Sequence, residues 1–157
     1  MRDILNETAF ENHIRKDILN DIVSENQSYK LFNFKKAVDI LIAKNGANPQ
    51  LYFLEIKYHK KSHRRLGFGH GKGGGFQPEL LKDRTDYFEK NLRWILGNED
   101  SENYWFVDSF ILRNHLNGDG VGEKYNGIKS SFFKDVTSLN KEELILKIED
   151  WLKIKSR

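Results

Sequence analysis

Apolar residues recur at Phe10, Ile14, Ile18, Leu19, Ile22 and Val23. That spacing predicts a helix over 10–23 with one buried stripe, started by Asn6 or Thr8 and ended by the polar stretch 24–28. The pattern then changes period. Residues 36–43 are short and β-branched, and 51–58 read Leu-Tyr-Phe-Leu-Glu-Ile-Lys-Tyr. Both predict strands. Between them Asn45-Gly46 and Asn48-Pro49 supply turn chemistry, so the pair is expected to form a hairpin. A glycine-rich loop is expected over 59–75. A helix should follow over 77–96, with Pro78 in its first turn, Leu81, Phe88, Leu92 and Ile95 inward, and Gly97 as its stop. Residues 104–112 read as a buried strand, 114–126 as a loop, 131–136 as a short strand, and 140–154 as a helix burying Leu144, Ile148, Trp151 and Leu152. This order predicts a single α/β domain over 1–157: a central mixed β-sheet flanked by α-helices.

Three charged residues interrupt the apolar pattern of the hairpin. Alternation puts Leu54, Ile56 and Tyr58 on one face of the second strand and Phe53, Glu55 and Lys57 on the other. Asp39 breaks the first strand between Val38 and Ile40. With the turn centred near Ala47, Asp39 falls opposite Glu55, and opposed residues of a ladder stand roughly 5 Å apart at Cβ. Two facing carboxylates repel unless a cation lies between them. Their oxygens suit a hard divalent ion such as Mg²⁺, with Mn²⁺ as a substitute. Lys57 then points at the same ion.

Composition narrows the partner. Hydrophobic residues make up 38% and charged residues 31% of the 157, the balance of a soluble globular domain. No apolar run could span a membrane, the N-terminus lacks a signal core, and a cytoplasmic location is the simplest expectation. There is no cysteine, which excludes disulfides, thiolate metal sites and a cysteine nucleophile. The net charge of +3 is modest but unevenly placed. Lys57, Lys60, Lys61, Arg64, Arg65 and Lys72, with His59, His63 and His70, share one segment that contains no acid. A local field of that kind attracts phosphates. Lys60, Lys61, Arg64, Arg65 and Lys72 are therefore the candidate nucleic-acid contacts.

Val38-Asp39, a linker, and Glu55-Ile56-Lys57 together resemble the signature of the PD-(D/E)XK nuclease superfamily, which includes restriction endonucleases, junction resolvases and repair nucleases. Val38 replaces the family's proline. The expected order of helix, hairpin, helix and strand matches the family's over 10–112. The resemblance implies a restriction endonuclease-like fold and Mg²⁺-dependent hydrolysis of DNA, leaving a 5′-phosphate and a 3′-hydroxyl. It implies that Asp39, Glu55 and the Ile56 carbonyl hold the metal and that Lys57 helps activate water. A further acid from the first helix would be Glu11, with Glu7 as second choice. A glutamine on the following helix would be Gln77, although Leu81 stands where the companion tyrosine is usual. A two-fold homodimer would set two centres on opposite DNA strands.

Plainer readings stand beside these. Asp39, Glu55 and Lys57 fit an exposed hairpin with a cross-strand salt bridge. Glu11 fits a solvated helix flank, Gln77 a helix cap, and the basic run a solvated surface. The glycines around Lys72 do not form a phosphate-binding loop, because Gly73 stands where serine or threonine is required. The histidines lack convincing zinc spacing, and Asp119 lacks the partners of a calcium loop. Two other functions remain open: a non-catalytic nucleic-acid-binding module on the same fold, and a nuclease directed at RNA.

Overall fold

A computed structural model of the chain describes residues 4, 6–33, 38–60, 66–67, 85–117, 127–129 and 131–154. The Asn6 side chain accepts a hydrogen bond from the Ala9 N–H at 2.8 Å and starts the N-terminal helix. This helix is α-helical over Glu7–His13, π-helical over Ile14–Leu19 and α-helical again over Asn20–Ser24. Phe10, Ile14, Ile18 and Leu19 are fully buried, so the predicted stripe is the packed face.

Among the described residues eight strands follow: β1 Tyr29–Asn33, β2 Ile40–Lys44, β3 Gln50–His59, β4 Leu66–Gly67, β5 Leu92–Asn98, β6 Trp105–Val107, β7 Leu116–Asn117 and β8 Gly127–Ile128. Five make a mixed sheet in the order β1-β2-β3-β5-β6. Only β3 and β5 run parallel; the other neighbours are antiparallel. β4, β8 and β7 form a separate small sheet. The main sheet has a core on each face. On one, the N-terminal helix and the C-terminal helix Lys141–Leu152 pack Phe10, Ile14, Leu144 and Ile148 against Ile40, Leu54, Ile56 and Ile95. On the other, Leu92, Trp94 and Leu96 meet Val38, Trp105, Leu112 and Phe132. The chain is thus α/β, a mixed sheet with helices on both sides. Among the described residues no helix is long and apolar enough to cross a membrane.

The hairpin pairs Ile40 with Leu54 and Lys44 with Gln50, the register expected for a turn centred at Ala47. Gly46 there has φ +123°, a conformation open to glycine. Several expectations fail. The helix expected over 77–96 is helical only over Asp86–Asn91 among the described residues; from Leu92 the chain is strand. Leu92, Trp94, Ile95 and Leu96 are all fully buried, because β5 lies inside the sheet with cores on both faces. The strand expected over 104–112 is strand only at Trp105–Val107. Asp108 then caps a helix, Ser109–Arg113, by accepting from the Ile111 N–H at 3.0 Å. The strand expected over 131–136 is a helical turn, Phe132–Asp135. β1 was not expected at all. The loops expected over 59–75 and 114–126 each contain strand, β4 and β7.

Gly97 places β5 directly beneath the first helix. A Cβ on Gly97 would stand 2.5 Å from Phe10 Cζ and 2.6 Å from Cε1. Gly97→Ala should therefore cost about 1–3 kcal/mol through overpacking, read as a lower midpoint in urea unfolding. An unchanged midpoint would mean that the helix rides freely over the strand.

Candidate metal and phosphodiester site

β2 and β3 part company at Ile40 and Leu54. Val38 belongs to one core and Ile40 to the other, whereas alternate residues of a regular strand share a face. The backbone therefore turns at Asp39, and the carboxylate is sent into the plane of the sheet. Its Oδ2 accepts a hydrogen bond from the Ile56 N–H at 2.7 Å. Two residues on, the Tyr58 N–H donates to Glu7 Oε1 at 3.3 Å. Two carboxylates thus occupy places where a neighbouring strand would have supplied carbonyls. Since a residue's N–H and C=O leave a strand on the same side, the Ile56 carbonyl also faces this gap.

Carrying the ladder one step beyond Ile40 and Leu54 sets Asp39 opposite Glu55. Glu55 is 1% exposed and Lys57 6%. They lie on the face of β3 next to Trp94 and Leu96 of β5. Lys57 Nζ is 3.8 Å from Glu7 Oε1. Glu55 Oε2 is buried and has no hydrogen-bond partner among the described residues. Asp39, Glu55, Lys57 and the Ile56 carbonyl are therefore brought together. Glu7, ranked behind Glu11 by the sequence, accepts a bond from β3. Glu11 lies one turn further along the same helix with its Oε1 buried. Lys60 follows the end of β3 and is partly buried. Lys61, Arg64, Arg65, Lys72 and Gln77 lie outside the described residues.

Burial is the chief force on Glu55, and the Asp39 charge the next; together they push its carboxyl up to about 9. Lys57 pulls the other way, while a hydrogen bond to Asp39 and the charge of Glu7 add to the rise. Burial also raises Glu7; Lys57 and the Tyr58 N–H oppose the shift and Asp39 adds to it. The carboxyls of Glu7, Asp39 and Glu55 gather around the Lys57 ammonium, and the hydrogen bond between Asp39 and Glu55 favours a proton on Glu55 shared through that bond. Among the described residues no group of three or more His, Cys, Asp or Glu side chains is arranged as a metal cage. Two carboxylates and a carbonyl are nevertheless a fitting donor set for an ion that keeps several waters, as Mg²⁺ does. The buried, unpartnered Glu55 oxygen agrees with that fit. No protein-family model, curated protein or solved structure matches the chain.

Glu55 makes stability depend on pH. Its folded value, about 9, lies above its ordinary value of 4.5. The folded state holds the proton more tightly, so this contribution is complete below pH 4.5 and is lost as pH rises through about 9. In EDTA the melting temperature should fall across that window, with a slope of at most about 1.4 kcal/mol per pH unit from one group. Glu55→Gln should flatten that part of the fall, since the amide mimics the protonated acid. A divalent ion held there would have to displace the proton, so any stabilisation by Mg²⁺ should grow with pH. Equal melting curves for the wild type and Glu55→Gln at pH 5, 7 and 9 would remove the shared proton from this picture.

Proposed function

We propose that the chain is a metal-dependent nuclease of the PD-(D/E)XK kind, on a restriction endonuclease-like fold, and that it hydrolyses phosphodiester bonds in DNA. The observation that carries this reading is the convergence of Asp39, Glu55 and Lys57 where β2 leaves β3. A salt-bridged surface hairpin is the competing account, and the burial of Glu55 and Lys57 speaks against it. Burying an acid and an amine beside further acids is expensive, and a catalytic centre is one place where such a cost persists.

In this mechanism the carboxylates of Asp39 and Glu55 would hold a divalent ion, with the Ile56 carbonyl as a further oxygen donor. Such an ion would supply Lewis-acid charge for a phosphoryl oxygen and an attacking water. The bond from the Ile56 N–H to Oδ2 fixes the Asp39 carboxylate beside Glu55. Lys57 sits two residues from Glu55 on the same face, so its ammonium orients the water and offsets charge that develops on the phosphate. Glu7 holds the ammonium in place across 3.8 Å. The parallel neighbour β5 backs the centre with Trp94 and Leu96, which limits water on that side.

Plasmid, linear duplex, four-way junction and RNA, each incubated with Mg²⁺ and with EDTA, test this reading. Mg²⁺-dependent cleavage of a DNA substrate is expected. Asp39→Asn and Lys57→Ala should each lower the rate by at least about a hundredfold, while DNA affinity in EDTA changes little. Cleavage that survives both substitutions would place the chemistry elsewhere. Mg²⁺-dependent cleavage of RNA alone would redirect the same centre to an RNA substrate.

A further inference from the structure

A second ionic site lies at the other end of β3. It is a cleft of about 660 Å³ whose lining includes Lys44, Lys90, Arg93, Lys153, Tyr52 and Trp151. No acid lines it. None of the four cations forms an ion pair among the described residues. Four like charges around one cavity repel each other, and a bound anion relieves that repulsion. The cleft is separate from the acidic centre. Gln50 lines it and Glu55 is five residues on, roughly 17 Å along the strand at ~3.4 Å per residue.

We infer that this cleft binds a phosphate-bearing anion, either a small phosphorylated molecule or the phosphate backbone of a nucleic acid. Arg93 is its anchor. The guanidinium is held from behind: Nη1 donates to the carbonyls of Glu89 and Leu92 at 2.9 Å each. Its remaining donors are left for a ligand, and a planar fork suits phosphate oxygens. Two acids act on the Arg93 charge, Asp108 and Glu89. Neither forms an ion pair with it among the described residues: Asp108 caps the Ser109–Arg113 helix, and Glu89 is engaged by Arg113 at 2.6 Å. The Trp151 ring lies 5.5 Å from the Arg93 guanidinium, within reach of a cation–π contact. Its indole N–H is fixed by the Lys90 carbonyl at 2.8 Å, and Tyr52 meets the ring edge-on at 5.1 Å. The wall is therefore built in advance.

Lys153 adds an independent observation. It ends the C-terminal helix in the left-handed conformation, at φ 59° and ψ 36°. Among the described residues it is the only non-glycine with positive φ. Glycine takes this position at lower cost. Lys153 thus holds a conformation that glycine adopts more readily, and it lines the cleft.

The inference does not depend on the nuclease reading, and its test is run in EDTA so that the Glu55 centre plays no part. The full chain is titrated with inorganic tripolyphosphate and, separately, with a twelve-base-pair DNA duplex, followed by calorimetry. Saturable binding of tripolyphosphate is expected. Arg93→Gln should weaken it by about tenfold or more. Lys153→Gly should weaken it about two- to fivefold while leaving the melting temperature equal or higher, which separates lost binding from lost folding. If the duplex competes with tripolyphosphate and shows the same two losses, the ligand is the nucleic-acid backbone. If duplex binding ignores both substitutions, the ligand is a small phosphorylated molecule. Absence of saturable binding by either probe, or tripolyphosphate binding unchanged in both variants, overturns the inference.

Discussion

The β2–β3 ladder stops one residue short of Asp39, and the candidate site is organised around that stop. A ladder continued past Ile40 and Leu54 would cover the outer edge of β3 with carbonyls. Instead the Ile56 and Tyr58 N–H groups are met by the carboxylates of Asp39 and Glu7. Buried backbone donors need partners, so the same bonds that complete the sheet edge also collect negative charge there. Glu55 adds a third carboxyl from within β3, and burial makes that charge costly. The geometry of the edge and the concentration of negative charge there have one cause.

Both faces of the sheet are needed to hold this arrangement. Val38 anchors the chain to one core and Ile40 to the other. That split turns the backbone at Asp39 and points its side chain along the sheet rather than out of it. The N-terminal helix, seated on the Ile40 side, brings Glu7 to the end of β3. The opposite core supplies Trp94 and Leu96 beside Glu55 and Lys57. Removal of either core would leave one of the carboxylates without a fixed position.

The hairpin was legible because two local signals agreed. Asn45-Gly46 and Asn48-Pro49 fixed the turn, and the alternation of 51–58 fixed the faces, so the opposition of Asp39 and Glu55 could be counted off. β5 was not legible. Leu92, Trp94, Ile95 and Leu96 form an apolar run without period two, as a strand buried on both faces does, and it reads equally as the end of a helix. The Asp108 cap was present in the sequence but lay inside an apolar stretch that looked continuous. β1 alternates Tyr29 and Leu31 inward with Lys30 and Phe32 outward, a short edge-strand signal that was readable but weak. Sequence reasoning ranked Glu11 over Glu7 because depth within the stripe was visible and reach to the strand end was not. The basic run after Lys57 stands out along the chain, whereas Lys44, Lys90, Arg93 and Lys153 come from four separate elements. Only folding makes those four neighbours.

The contact between Gly97 and Phe10 acts as a spacing gauge. A helix moves as a rigid rod, so the depth at which Phe10 rests on β5 sets the height of every residue on that helix. Glu7 stands one turn before Phe10, and its bond to the Tyr58 N–H is already long at 3.3 Å. The margin for lifting the rod is therefore a few tenths of an ångström before that bond is lost. A missing side chain on the far strand thus calibrates the position of a charge on the near one. Tolerance at the acidic centre is governed by van der Waals contact at a residue that carries no functional group.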